Sequence, residues 1–392
     1  MRISPAAHVV GTESGRRRYA CFDGLRAVAA LAVLVHHAGF DTGVTYRWTV
    51  VGDMLARGDI GVPIFFAISG FLLYRPFASA NAAGTAVPEK AGFYRRRFLR
   101  IYPAYWLALS VLVIFFGVSM GSGWDPLLYA TLTQIYSGRT ALGGLPQAWS
   151  LCVEVSFYLL LPLYAAAVHR IVIRSGRWIA TEATALMSLV AISFLYRGLL
   201  EIMDPAWKGT ALFWLPAHLE LFAVGMMYAV WSAAEPHSDR AARAGRAVGR
   251  HPAMAWMGAA AAFIVVSLVL TLPKGVAPFS GPQLFERQAL YALVALLLLA
   301  PAVFDLGQGQ IRRFLRWRPV VFVGLVSYGV YLWHKTLVLH TVDWLGGDHN
   351  ALRGNFPLTV LVALALTLVF ATASRYWLEE PLHRRFANRG RR

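Results

Sequence analysis

Long apolar runs, each broken by a short polar segment, recur along nearly the whole chain. Runs able to cross about 30 Å of hydrocarbon fall near 20–40, 60–79, 99–119, 149–168, 178–199, 211–231, 253–272, 287–304, 320–341 and 357–377. This pattern predicts an all-α, polytopic membrane protein of about ten transmembrane helices. Lys and Arg concentrate in alternate connecting segments, and the positive-inside rule then puts both termini in the cytoplasm. A single domain is expected over 1–392, with a helical core at 19–377 and short basic tails at 1–18 and 378–392. The sequence after the last run, "EEPLHRRFANRGRR", is too short for a fused extracytoplasmic domain, so none is expected. The longest outside loop, 120–148, contains "GSGWDP" and "ALGGLPQ" and reads as a turn-rich cap.

Composition narrows the class. Of 392 residues, 57% are hydrophobic and only 15% charged, with a mean hydropathy of +0.52, which excludes both disorder and an ordinary soluble enzyme. The net charge of +17 is split into short clusters instead of one basic stripe, so it reads as topology and not as a nucleic-acid surface. The first run follows Arg16, Arg17 and Arg18 as a signal peptide would, yet it carries Arg26 and histidines and lacks a small-x-small cleavage site, so it reads as a retained anchor. Cys21 and Cys152 fall near opposite faces, which argues against a disulfide between them.

Ionisable groups inside spanning segments cost a few kcal/mol and mark function. In "CFDGLRAVAALAVLVHHAGF", the eleven steps from Arg26 to His37 return to within about 20° of one helical face and rise roughly 16 Å. His36 points about 80° away by the same count, which makes His37 the candidate of the two. "WSLCVEVSFY" sets Ser150, Glu154 and Tyr158 at steps of four, a polar line on one face, with Glu154 expected at the depth of His37. His218 and Glu220 in "LPAHLELFAVGM", and His334 beside Lys335 in "VSYGVYLWHK", are further candidates for a common cavity. Arg97 and Arg100 in "FYRRRFLRIYPAYW" stand one turn apart at the start of the third run, a pair suited to a phosphate-bearing ligand. Plainer roles compete: the Arg95–Arg100 cluster as lipid-facing positive charge, the serine–glutamate–tyrosine line as interhelical hydrogen bonding, His334 with Lys335 as an interfacial anchor, and Cys152 as packing. No metal and no resident cofactor is expected.

These strings resemble the family-3 membrane acyltransferases, which decorate sugars, lipopolysaccharide, peptidoglycan and macrolides with acyl groups. "FDGLRAVAALAVLVHH" is similar to the family's first-helix motif of an arginine and a histidine ten residues apart, and "GVPIFFAISGFLL" to its second helix. "RRFLRIYPAYW" holds its R-x-x-R element at Arg97 and Arg100, and "WSLCVEVSFYLLLPL" its S-x-x-x-E-x-x-x-Y spacing. "GLVSYGVYLWH" and "SRYWLEEP" match its last two helices. Pro63 stands where many members carry an acidic residue, and Val155 and Ser156 replace a common Glu-Gln pair. The resemblance implies an integral-membrane O-acyltransferase of a bacterial plasma membrane. Its co-substrate would be cytoplasmic acyl-coenzyme A, and its acceptor a hydroxyl of a glycan, glycolipid or glycoside. Arg97 and Arg100 would hold the donor's phosphates, with Arg26 along its path. His37 would act as general base or as an acyl relay, Glu154 would orient it, and a hydroxyl such as that of Tyr158 would steady the oxyanion. The same buried His, Glu and Arg also suit a proton-coupled secondary transporter, although no inverted repeat is visible.

Overall fold

A computed structural model describes residues 19, 21–275, 277–307 and 309–387. The basic tail expected at 1–18, and residues 388–392 of the C-terminal one, lie outside the described residues. The principal helices are α1 (Cys21–Asp41), α2 (Gly61–Ala83), α3 (Lys90–Phe116), α4 (Trp149–Ser175), α5 (Trp178–Met203), α6 (Leu219–Ala234), α7 (Pro252–Ile264), α8 (Gly281–Val303), α9 (Arg318–Leu325), α10 (Ser327–Trp344) and α11 (Phe356–Ser374). Among the described residues, β-type pairing is limited to one isolated bridge, Asp348 with Arg353. The chain is an all-α membrane protein, as its apolar periodicity requires.

Among the described residues, eight helices are long and apolar enough to cross a membrane, and nine if a bent pair counts as one span. Two of the ten predicted runs are not single long helices. α9 and α10 fill the ninth predicted run as two helices bent by 74°, and the break falls where "SYG" brings a serine and a glycine together, a common kink site. α6 has 16 residues, about 24 Å, so it falls short of the hydrocarbon thickness. Most of it is buried against protein, which lets short turns such as Leu215–His218 complete the crossing without lipid contact.

Burial separates an inner set from an outer one. The apolar window of α2 is 72% buried, whereas those of α5 and α11 are 28% and 22%. The outer helices turn Leu195, Ile202, Leu361 and Val369 outward, as lipid solvation demands. α2 and α6 pack backbone to backbone. A Cβ at Gly70 would overlap the Phe222 carbonyl oxygen, and one at Gly225 would overlap that of Ala67, so small residues let these two backbones touch. Around this pair, α1, α3, α4 and α10 enclose the polar interior.

Candidate active site

Six of the residues selected from the sequence line one cavity of about 110 Å³: Arg26, Arg97, Arg100, Ser150, Glu154 and Tyr158. They come from three helices. α1 supplies Arg26 from its second turn, α3 supplies Arg97 and Arg100 one turn apart, and α4 supplies the other three at steps of four. The Arg97 guanidinium lies 5.9 Å from the centre of the Tyr158 ring, and that of Arg100 lies 5.8 Å from the centre of the Tyr328 ring. Arg100 also approaches Glu379 at 3.6 Å, and Arg26 approaches Asp23 at 3.6 Å. Arg97 has no carboxylate partner among the described residues. Glu154 accepts a hydrogen bond from Ser69 Oγ at 2.8 Å. Three guanidinium groups and one carboxylate among the lining residues give the cavity a net positive charge.

Above the arginines, away from the first turns of α1 and α3, the cavity ends at Ser150 and Tyr331, whose hydroxyls are 2.8 Å apart. Tyr331 Oη donates to the Gln147 carbonyl at 2.9 Å. One helical turn further along α10, the His334 ring lies 5.5 Å from that of Tyr331 and 5.3 Å from that of His37, centre to centre. His334 Nδ1 is 2.9 Å from the Tyr331 carbonyl and 3.1 Å from that of Val330. Carbonyls only accept, so the proton belongs on Nδ1 and the lone pair on Nε2. That Nε2 is buried with no hydrogen-bond partner. The next residue, Lys335, is paired to Asp41 with both contacts at 2.7 Å. α1 and α10 thus meet at successive rungs, His37 with His334 and Asp41 with Lys335.

The two histidines of α1 have different surroundings. His36 Nδ1–H donates to the Leu55 carbonyl at 2.8 Å. His37 is half-buried, packs between the rings of His36 (4.9 Å) and His334, and makes no hydrogen bond among the described residues. Its ring nitrogens are therefore not committed to the protein.

Other candidates fall elsewhere. Glu154 lies at the arginine end with Ser69, and no hydrogen bond joins it to His37 among the described residues; its register on α4 sets it one turn too far from the Ser150 end. Tyr158 lies deeper still, beside Arg97. Glu220 is outside the cavity, held by Arg197 at 2.6 Å, by Gln288 and by Ser193, so it ties α5, α6 and α8 together. His218 packs against Phe66 and Trp149, ring centres 5.6 and 5.4 Å apart, with its buried Nε2 unpartnered. His334 is buried and not an interfacial anchor. Cys21 and Cys152 are both free and buried. Sequence reasoning passed over Ser69, Tyr328 and Tyr331, because neutral polar residues inside apolar runs carry no charge signal.

The family-3 acyltransferase model, described as an acyltransferase domain, matches residues 19–376. The chain belongs to this family. The match covers the membrane-spanning helices described above. The chain is 26% identical over 380 residues to YrhL of Bacillus subtilis, provisionally named as a peptidoglycan O-acetyltransferase, covering 92% of the chain and 54% of that protein. It is 22% identical over 393 residues to the O-acetyltransferase OatA of Staphylococcus aureus, covering 93% of the chain and 57% of OatA. It is 26% identical over 388 residues to the acyltransferase MdmB of Streptomyces mycarofaciens, covering 93% of the chain and 92% of MdmB. The chain thus spans little more than half the length of the first two relatives. No solved structure matches it.

Proposed function

We propose that this acyltransferase moves an acyl group from acyl-coenzyme A, entering at the arginine face, to a hydroxyl of a glycan or glycoside, with His37 as general base. The observation that supports this reading most is the placement of a three-arginine cavity whose far end lies one turn of α10 from an uncommitted histidine. The names of YrhL and OatA, as O-acetyltransferases, favour a hydroxyl acceptor and an acetyl donor.

Arg26, Arg97 and Arg100 hold the donor's phosphates, with Glu154 and Ser69 lining the route beyond them. The acyl thioester then extends along α1, over the roughly 16 Å that separate Arg26 from His37. Neutral His37 takes the proton of the acceptor hydroxyl as its oxygen bonds to the thioester carbonyl carbon. The tetrahedral intermediate collapses, the C–S bond breaks, and the departing sulfur recovers the proton from the His37 imidazolium, leaving an ester and free coenzyme A thiol. His334, whose ring packs 5.3 Å from that of His37, is the neighbour that positions it. Glu154, with the arginines, orders the donor instead of the base.

The test uses purified protein in nanodiscs, radiolabelled acetyl-coenzyme A and an N-acetylglucosamine oligosaccharide. General-base catalysis contributes about 10²- to 10⁴-fold, so His37→Ala is expected to lose label transfer by that factor while His36→Ala stays close to wild type. Transfer at the wild-type rate by His37→Ala overturns the assignment. Saccharide uptake into vesicles without any acylation favours a transporter instead.

A further inference from the structure

A second group of arginines lies outside the cavity. The helix Asp239–Arg250 joins α6 to α7 and carries Arg240, Arg243, Arg246 and Arg250 within about 120° of arc, roughly opposite Gly245 and Gly249. A Cβ at Gly249 would overlap the Phe304 carbonyl oxygen, and one at Gly245 the Phe304 ring, so the glycine side is pressed against the end of α8. The four arginines on the other side are all exposed. Buried Arg312 fastens this helix to the next connection: its guanidinium donates to the carbonyls of Gly249 at 2.9 Å and Pro301 at 3.0 Å and approaches Asp305 at 3.1 Å. Arg250 and Arg313, the residues that follow Gly249 and Arg312, therefore stand on adjoining elements. There a cleft of about 490 Å³ is lined by Arg313, Arg316, Trp317 and Arg318, with Gly307 and Gly309. A Cβ at Gly24 would meet the Leu315 carbonyl, and one at Gly324 that of Asp23, which sets the cleft at the level of the first turn of α1.

Arg316 is paired with Asp305. Arg250, Arg313 and Arg318 have no carboxylate partner among the described residues, nor do Arg240, Arg243 and Arg246, and Asp239 is the single acidic residue of the helix that carries four of these six. An anion suits such a face, and paired guanidinium groups favour a phosphate. The apolar side chains narrow the choice. Ile311, Phe314 and Trp317 recur at steps of three and are all exposed, and so are Met254 and Met257, one and two turns after Arg250. A soluble phosphate would leave these side chains in water. A phospholipid brings its phosphate to the arginines and its acyl chains to the apolar groups, with tryptophan at the boundary between them.

We propose that this cleft binds an anionic phospholipid, its phosphate held by Arg313 and Arg318 with Arg250 beside them, and its chains laid along Phe314 and Trp317. Arg312, whose hydrogen bonds tie the two connections together, keeps the site assembled without touching the lipid. The site goes beyond the acyltransfer reading and does not depend on it.

The test is native mass spectrometry of the full-length protein in detergent, titrated with phosphatidylglycerol or with phosphatidylcholine of the same chain length. Phosphatidylglycerol is expected to bind about tenfold more tightly, and Arg313→Gln combined with Arg318→Gln to weaken it about 30-fold. Arg174→Gln combined with Arg177→Gln removes two exposed arginines at the junction of α4 and α5 and is expected to change that affinity by less than about twofold. Equal binding of the two lipids overturns the proposal. So does an equal loss in the two variants, which would make the effect one of undirected positive charge. Displacement of the lipid by glycerol 3-phosphate or by acetyl-coenzyme A overturns it as well, because the cleft would then take a soluble phosphate. If the Arg313 and Arg318 variant does not fold, the lipid comparison and the competition on the wild type decide the matter.

Discussion

Arg97 is the cavity guanidinium left without a carboxylate partner among the described residues, stacked over Tyr158 and open to a ligand. A charge-assisted hydrogen bond is worth about 1.5–3 kcal/mol, so Arg97→Ala is expected to weaken coenzyme A binding about 10- to 100-fold. Calorimetry checks this, and unchanged affinity removes Arg97 from donor binding. Glu220 makes the contrasting case. Its buried contacts with Arg197, Ser193 and Gln288 join three helices away from the cavity, and breaking a buried ion pair costs about 3–5 kcal/mol. Glu220→Ala should therefore lower the melting temperature in detergent without changing coenzyme A affinity in the fraction that stays folded. A variant with wild-type melting and lost binding would put Glu220 in the donor site.

At the scale of elements, the contact of α2 with α6 depends on Gly70 and Gly225, where any Cβ meets a facing carbonyl. Gly225→Val should separate the two helices and yield aggregated protein on size exclusion, whereas a monodisperse, active variant would show that the close approach is dispensable. Much of this architecture was legible, because lipid demands long apolar runs and those runs are written in the sequence. The shortened α6 was not. Residues 211–218 are as apolar as a helix, and hydropathy does not distinguish a helical turn from the short turns around Pro216. The bend before Ser327 was missed for a related reason: "VSYG" shows a serine and a glycine, but the sequence alone does not say whether neighbours stabilise a break. That bend brings Ser327, Tyr328 and Tyr331 to the cavity. Arg26, Arg97, Arg100, Ser150, Glu154 and Tyr158 were found because charge and a spacing of three or four survive any tilt of a helix. The expected meeting of Glu154 with His37 required relative heights of two helices, which spacing along one helix does not supply. His334 fills the place beside His37 instead.

For the whole molecule, the account is of an arginine-lined cavity whose Tyr331 end lies one turn of α10 from His334, against which His37 packs. Basic residues cluster beside the arginine cavity, at Arg95 and Arg96 early in α3 among others, and by the positive-inside rule we take that end as the cytoplasmic one. We propose that the donor and the acceptor are served from different compartments. The direct measurement is transfer in sealed proteoliposomes, with labelled acetyl-coenzyme A and an N-acetylglucosamine tetrasaccharide, both membrane-impermeant, placed on opposite sides or on the same side. The account predicts acylated saccharide when they are on opposite sides, none when they share a side, and none in either arrangement for His37→Ala. Equal transfer from a shared compartment, or transfer that survives loss of His37, would contradict it.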